Sequence, residues 1–167
     1  MKKTSILLAL CCLMVLSACQ KKNAQLFRGD YSFKTSGSVT AKRANASDPE
    51  EFNITLNNEI GQLQIASLNK KHDSLVVVMN YMNGDVVVTH ACCQGQNISL
   101  KEFKHNSLKV SFDGIFDMQC EVNVNANGTM YDENTLILNM TYNGVASVEN
   151  LKYNLYGDDI KMVATRN

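Results

Sequence analysis

Alternation of apolar and polar residues, with no helical repeat of comparable length, organises the chain from residue 29 onward. Between Leu75 and Tyr81, for example, Leu75, Val77, Met79 and Tyr81 fall on one side and Val76, Val78 and Asn80 on the other. That is the period of two expected of a strand with one buried face. Similar runs, separated by Gly, Asn and Asp, follow one another to the end. Side chains alternate faces, so a slip of one residue across a turn carries a whole apolar set to the wrong side. Matching faces therefore predicts a register. A two-residue loop at Asn83-Gly84 sets Tyr81 opposite Val86, Met79 opposite Val88, Val77 opposite His90 and Leu75 opposite Cys92. A three-residue loop at Gln94-Gly95-Gln96 then sets Cys92 opposite Ile98 and His90 opposite Leu100.

Further on, a three-residue loop through Ile115 pairs Phe112 with Phe116, Val110 with Met118 and Leu108 with Cys120. A loop at Asp132-Glu133-Asn134 pairs Met130 with Leu136, Ala126 with Met140 and Val124 with Tyr142, and this register outweighs the turn signal of Asn127-Gly128. A last hairpin through Gly157-Asp158-Asp159 brings Leu151, Tyr153 and Leu155 against Ile160, Met162 and Ala164. Asp30 to Lys42 and Phe52 to Leu68 supply the earlier strands, with a change of parity near Gly61. The expectation is an all-β domain of nine to eleven antiparallel strands in up-and-down order. A meander that long closes into a barrel, which removes its exposed edges. No significant helix is expected in it.

Upstream the pattern changes. Lys2 and Lys3 precede an apolar stretch from Ile6 to Leu16, too short to span a bilayer, which is the pattern of a cleaved signal peptide. It closes on Leu16-Ser17-Ala18-Cys19, which resembles the lipobox of bacterial lipoproteins. The resemblance implies removal of residues 1–18, acylation of Cys19, a polar tether over 19–28 and a single barrel domain over 29–167. Two or three acyl chains, each methylene contributing about 0.8 kcal/mol, make attachment effectively permanent. By the sorting rules of Gram-negative lipoproteins, Gln20 after the cysteine implies the outer membrane, and the basic Gln20-Lys21-Lys22-Asn23 implies its periplasmic face.

Composition adds limits. Without residues 1–18 the chain carries 14 basic and 16 acidic side chains, a balance that argues against nucleic acid as a partner. Of six cysteines, Cys92, Cys93 and Cys120 remain beyond the lipobox. A Cys92–Cys120 disulfide is disfavoured, because the register places the two three strand steps apart, roughly 14 Å, against a limit of about 7 Å between bridged Cα atoms. Free, mostly buried thiols are expected.

The lipobox, the strand entry at Gly29-Asp30-Tyr31, the Gly-Asp and Asn-Gly turns and the final strand from Asp159 to Arg166 together resemble the calycin-like or lipocalin-like β-barrel lipoproteins of bacteria. The resemblance spans most of residues 28 to 166 and implies a barrel that holds a small hydrophobic ligand. The inward face of the drawn register holds Met79, Tyr81, His90, Phe112, Phe116, Met118, Met130, Met140, Tyr142, Tyr153 and Met162, an adaptable methionine and aromatic lining. Small barrels also fill their interiors with side chains, and that alternative implies a module that binds another envelope protein, as inhibitor or assembly subunit, through its outer face. His90 and Cys92 share a face with Glu102, too few ligands for a structural metal. His72 and His105 are read as turn residues. Asp73-Ser74-Leu75 resembles a bacterial O-glycosylation motif centred on Ser74. No catalytic constellation and no cofactor motif is found, so the expectation is a non-enzymatic protein tethered to the membrane, with a small hydrophobic molecule or an envelope protein as partner.

Overall fold

The computed structural model describes residues 24–45, 47, 51–56, 59–68, 74–112, 116–148 and 151–167, except the side chains of 107, 109–112, 116–119 and 148. Ten strands run through it: β1 (Gly29–Ser36), β2 (Ser38–Arg43), β3 (Glu51–Thr55), β4 (Ile60–Ser67), β5 (Ser74–Tyr81), β6 (Val86–Gln94), β7 (Asn97–Phe112), β8 (Phe116–Met130), β9 (Thr135–Val148) and β10 (Leu151–Arg166). Their order across the sheet is β1-β4-β5-β6-β7-β8-β9-β10-β2-β3, and β1 also pairs with β10. Eight strands, β1 and β4 to β10, thus close into an antiparallel barrel, as the alternating pattern predicts.

The order is not simply up-and-down. β10 pairs with β1 through Lys161 to Arg166 and with β2 through Tyr153 to Tyr156, so β1 and β2 are two lengths of one path along the same neighbour. β3 continues alongside β2 and approaches β7. The barrel therefore stands taller on its β7–β10 side than on its β4–β6 side.

Three expected turns are corrected. The backbone of Tyr81 donates to Asp85 (2.9 Å) and that of Gly84 to Tyr81 (3.0 Å), so the loop is Met82-Asn83-Gly84, with Gly84 at φ 92. This is a three-residue connection, which needs a left-handed third residue that glycine supplies without strain. The next turn errs in the opposite sense: Gln94 faces Asn97 across a two-residue loop, Gly95-Gln96. The two displacements cancel beyond Asn97. They invert only β6, turning Val87, Thr89 and Ala91 inward and leaving Val86, Val88, His90 and Cys92 exposed. His90 is therefore not an interior residue. Finally, Gly157-Asp158-Asp159 is not a hairpin. Gly157 faces Tyr142 and Ile160 faces Met140, so Asp158 and Asp159 stand opposite Thr141 alone as a bulge in the continuous strand β10.

The registers drawn for β7 with β8 and for β8 with β9 are those observed, including Phe112 with Phe116, Leu108 with Cys120 and Ala126 with Met140. Residues 24–27, which the sequence reading places in the tether, form one helical turn with Ala24 and Phe27 fully buried. Burying a side chain the size of Phe27 contributes about 1.5–3 kcal/mol. The Tyr31 hydroxyl donates to the Phe27 carbonyl (2.8 Å). The Arg166 guanidinium caps the same end, donating to the Leu26 carbonyl (2.7 Å) and the Tyr31 hydroxyl (2.7 Å).

Candidate functional site

The inward positions of all eight barrel strands meet in one apolar core. Met79 and Met162 have no accessible surface, and Tyr81, Met130, Met140 and Tyr142 are buried. A side chain without accessible surface touches other atoms and no water-sized space, so Met79 and Met162 border no cavity. Tyr153 is half-buried, its ring edge-on to Phe52 at 6.4 Å between centroids. Phe112, Phe116 and Met118 lie on paired strands, but their side chains fall outside the described residues. The Tyr142 hydroxyl is buried without a hydrogen-bond partner. Burial, and after it the proximity of Tyr81 and Glu59, raises its pKa well above the ordinary tyrosine value.

The most polar point of the interior is one that the sequence reading placed in a turn. His105 lies within β7, between two irregularities of register at Leu100/Phe103 and His105/Leu108. Its Nε2 meets Glu59 Oε1 at 2.8 Å and its Nδ1 meets Asp85 Oδ2 at 3.1 Å. The side chain of His105 is 0% exposed, against 12% for Glu59 and 27% for Asp85. Both partners are acceptors when ionised, so both contacts are hydrogen bonds only when the ring carries a proton on each nitrogen. The ring also stacks on Tyr81, 4.5 Å between centroids and 15° between planes. Burial first, then the charges of Glu59 and Asp85, drive the Tyr81 pKa far up, so its hydroxyl stays neutral.

The position of this cluster explains its existence. The ladder between β6 and β7 ends at Ala91 and Leu100, and just beyond it the Thr89 hydroxyl donates to the Lys101 carbonyl (2.8 Å). Glu59 closes the turn into β4 and Asp85 the turn into β6. His105 thus clasps the tips of two connections to β7 at the place where the described backbone pairing lapses.

Directly outside the clasp lies an apolar patch. Ile60 follows Glu59, Met82 follows Tyr81 and Val86 follows Asp85, and these outward residues are 44%, 76% and 57% exposed; Val88 adds 62%. The Met82 amide donates to the Ile60 carbonyl (3.0 Å), which holds the two turns together. Single exposed apolar residues are ordinary, whereas a contiguous group marks an interaction site. Neither the clasp nor the patch was legible as a site in the sequence. Glu59 falls within the expected strand stretch from Phe52 to Leu68, Asp85 directly follows the expected Asn83-Gly84 loop, and the expected register turns the valines of β6 to the wrong face. The one available signal is the run from Lys101 to Asn106, in which Phe103 is the lone apolar residue, unusual for a strand with a buried side.

Other expected positions resolve simply. Cys92 points outward on β6 and Cys120 inward on β8, with β7 between them, so opposite faces as well as distance separate the two sulfurs. The expectation of mostly buried thiols is corrected for Cys92, which is exposed and free. Burial raises the Cys120 thiol to about 11. Ser74 opens β5 opposite Cys92 and is half-buried. Cys19 lies outside the described residues. Among the described residues no three His, Cys, Asp or Glu side chains form a metal-binding group.

No protein-family model matches the chain, and no curated protein does. Two solved structures resemble its fold. A redesigned β-barrel is 12% identical with a TM-score of 0.39, covering 87% of this chain and 95% of its own. EF1p2_mFAP2b bound to DFHBI is 13% identical with a TM-score of 0.41, covering 89% of this chain and 99% of its own.

Proposed function

We propose that the protein is a lipid-anchored, non-enzymatic barrel of the bacterial outer membrane, on its periplasmic face, that works as a filled scaffold and docks another envelope protein through the wall formed by β4 to β6. One observation carries the reading: Met79, Tyr81, Met130, Met140, Tyr142 and Met162, expected to line a ligand cavity, are buried in one apolar core, while Ile60, Met82, Val86 and Val88 stand in solvent. A protein is favoured over the membrane itself as the occupant. Residues 20–23 between Cys19 and the helical turn reach at most about 15–18 Å. The patch begins at the opposite end of β5 from the anchored end, a further ~25 Å along eight residues of strand. The clasp holds the patch in one shape, which lowers the ordering cost of docking. For a non-enzymatic role, the supporting fact is that both nitrogens of His105 are already engaged by carboxylates.

The test is a photo-reactive amino acid placed at Val88 and, as control, at Lys34 on the outer face of β1, in the native host. The expected result is a defined protein adduct at Val88 that is absent at Lys34 and lost when Met82 and Val86 are both changed to Asp. Equal labelling at both positions, or no adduct, overturns the docking surface. Anchoring is tested separately. Cys19→Ser should abolish incorporation of an alkyne-tagged fatty acid, and retained label would refute the lipobox reading.

A further inference from the structure

The opposite wall, formed by β7 to β10, carries a different chemistry. Outward positions of β8 and β9 pair across the ladder as Asn123 with Asn143, Asn125 with Thr141 and Asn127 with Asn139. Asparagine is depleted in strands because its side chain competes for backbone hydrogen bonds and packs poorly on a pleated surface. Its recurrence here is therefore not a by-product of strand formation. The Asn125 amide donates to Glu102 (3.3 Å). The amides of Asn97, Asn123, Asn127, Asn139 and Asn143 engage no other described residue.

The wall is dented where an outer barrel surface would be convex. Two grooves indent it, of about 440 and 350 Å³. Gly128 lines the first and Gly144 the second. At both the backbones approach so closely that an added Cβ would come within 2.3 Å of the Ile137 carbonyl oxygen or 2.1 Å of the Glu121 carbonyl oxygen. The first groove gathers the amides of Gln94, Asn97, Asn127 and Asn139 with the Ser99 hydroxyl, and the second those of Asn123, Asn143 and Asn154 with the half-exposed ring of Tyr156 and, at its edge, Glu121, which is paired with Lys104. The paired asparagines at their centres are four residues apart along each strand, or ~13 Å.

We infer that this wall is a binding site for a neutral oligosaccharide chain, laid across both grooves. Each side-chain amide offers a donor and an acceptor together, which is what adjacent sugar hydroxyls require, and the Tyr156 ring supplies an apolar face for a sugar ring's C–H groups. The outward positions from Asn123 to Thr129 on β8 and from Ile137 to Ser147 on β9 carry no charge; beside them Lys104, opposite Asn123, is paired with Glu121, and Lys161 stands opposite Asn139 at the margin of the first groove, so an anion meets mainly amides and, in the second groove, the Glu121 carboxylate. An added peptide strand finds no free edge, since both strands are paired on both sides. The first groove shares β6 with the docking patch, Cys92 standing four residues beyond Val88, and the second lies on β8 to β10, away from it.

The experiment follows side-chain amide resonances of the ¹⁵N-labelled protein while maltohexaose, cellohexaose, mannohexaose and chitohexaose are titrated in turn, with polygalacturonate as the charged comparison. Shifts confined to the Asn amides of the two grooves with at least one neutral sugar are expected. Asn127→Ala and Asn143→Ala should each weaken that binding about tenfold, the loss of roughly one hydrogen-bonding group, with unchanged melting temperature. Occupancy should also slow alkylation of the exposed Cys92, which lines the first groove. No shift with any of the four neutral sugars, a response to polygalacturonate alone, or shifts unaffected by both substitutions would overturn the assignment.

Discussion

Removing the imidazole at the junction of β4, β6 and β7 is the most informative single perturbation. His105→Ala deletes a ring without accessible surface, its contacts at 2.8 and 3.1 Å to two carboxylates, and its stack on Tyr81. Glu59 and Asp85 would then face a cavity with no ring nitrogen between them. Breaking a buried pair by removing one partner costs about 3–5 kcal/mol, and the partial exposure of Asp85 favours the lower end, about 3 kcal/mol. The lost stack adds about 0.5–1.5 kcal/mol. A total near 4 kcal/mol is a large share of the 5–15 kcal/mol typical of a domain. Urea unfolding of the chain from Gln20, followed by far-ultraviolet circular dichroism because tryptophan is absent, measures it. Adding Glu59→Ala should cost at least about 1 kcal/mol less than the sum of the single changes, because the second removes a charge the first has stranded. A loss below about 1 kcal/mol, or strict additivity, would refute the clasp.

Three further outcomes are expected. Gly144→Ala should lower the melting temperature on the order of 10 °C, since the new methyl must displace backbone across the ladder; scanning calorimetry checks it. Iodoacetamide at pH 8 should modify Cys92 well before Cys120, whose burial raises its thiol to about 11; peptide mass mapping reads the order, and comparable rates would contradict the interior position of Cys120. Asp132 accepts the backbone amides of Asn134 (2.8 Å) and Thr135 (2.7 Å), and these bonds lower its pKa. Its contribution to stability is therefore complete above the ordinary aspartate value of about 3.9 and fades as pH falls through its lowered value. Asp132→Ala should reduce the melting temperature at pH 7 and progressively less in acid.

The strands of this fold were legible because alternation is strong where one face is buried: β7 to β9 pair as face-matching predicts. The failures have a common cause. Asn83-Gly84 and Gln94-Gly95-Gln96 each admit loops of two or three residues, and apolar matching cannot choose between them on β6, where Val86, Val87 and Val88 are alike. The bulge at Asp158-Asp159 imitates a hairpin tip because both need polar residues beside a glycine. The clasp escaped because it joins residues 46 and 20 positions apart from His105 at a lapse in the ladder, and a sequence shows pairings only where their periodicity persists.

Native mass spectrometry of the protein extracted from its own membrane, without refolding, tests the filled-scaffold account most directly. The account predicts the mass of the acylated chain beginning at Cys19, alone or with a protein partner that is lost when Met82 and Val86 are changed to Asp. A small hydrophobic molecule that travels with the folded chain and is released on denaturation would contradict it.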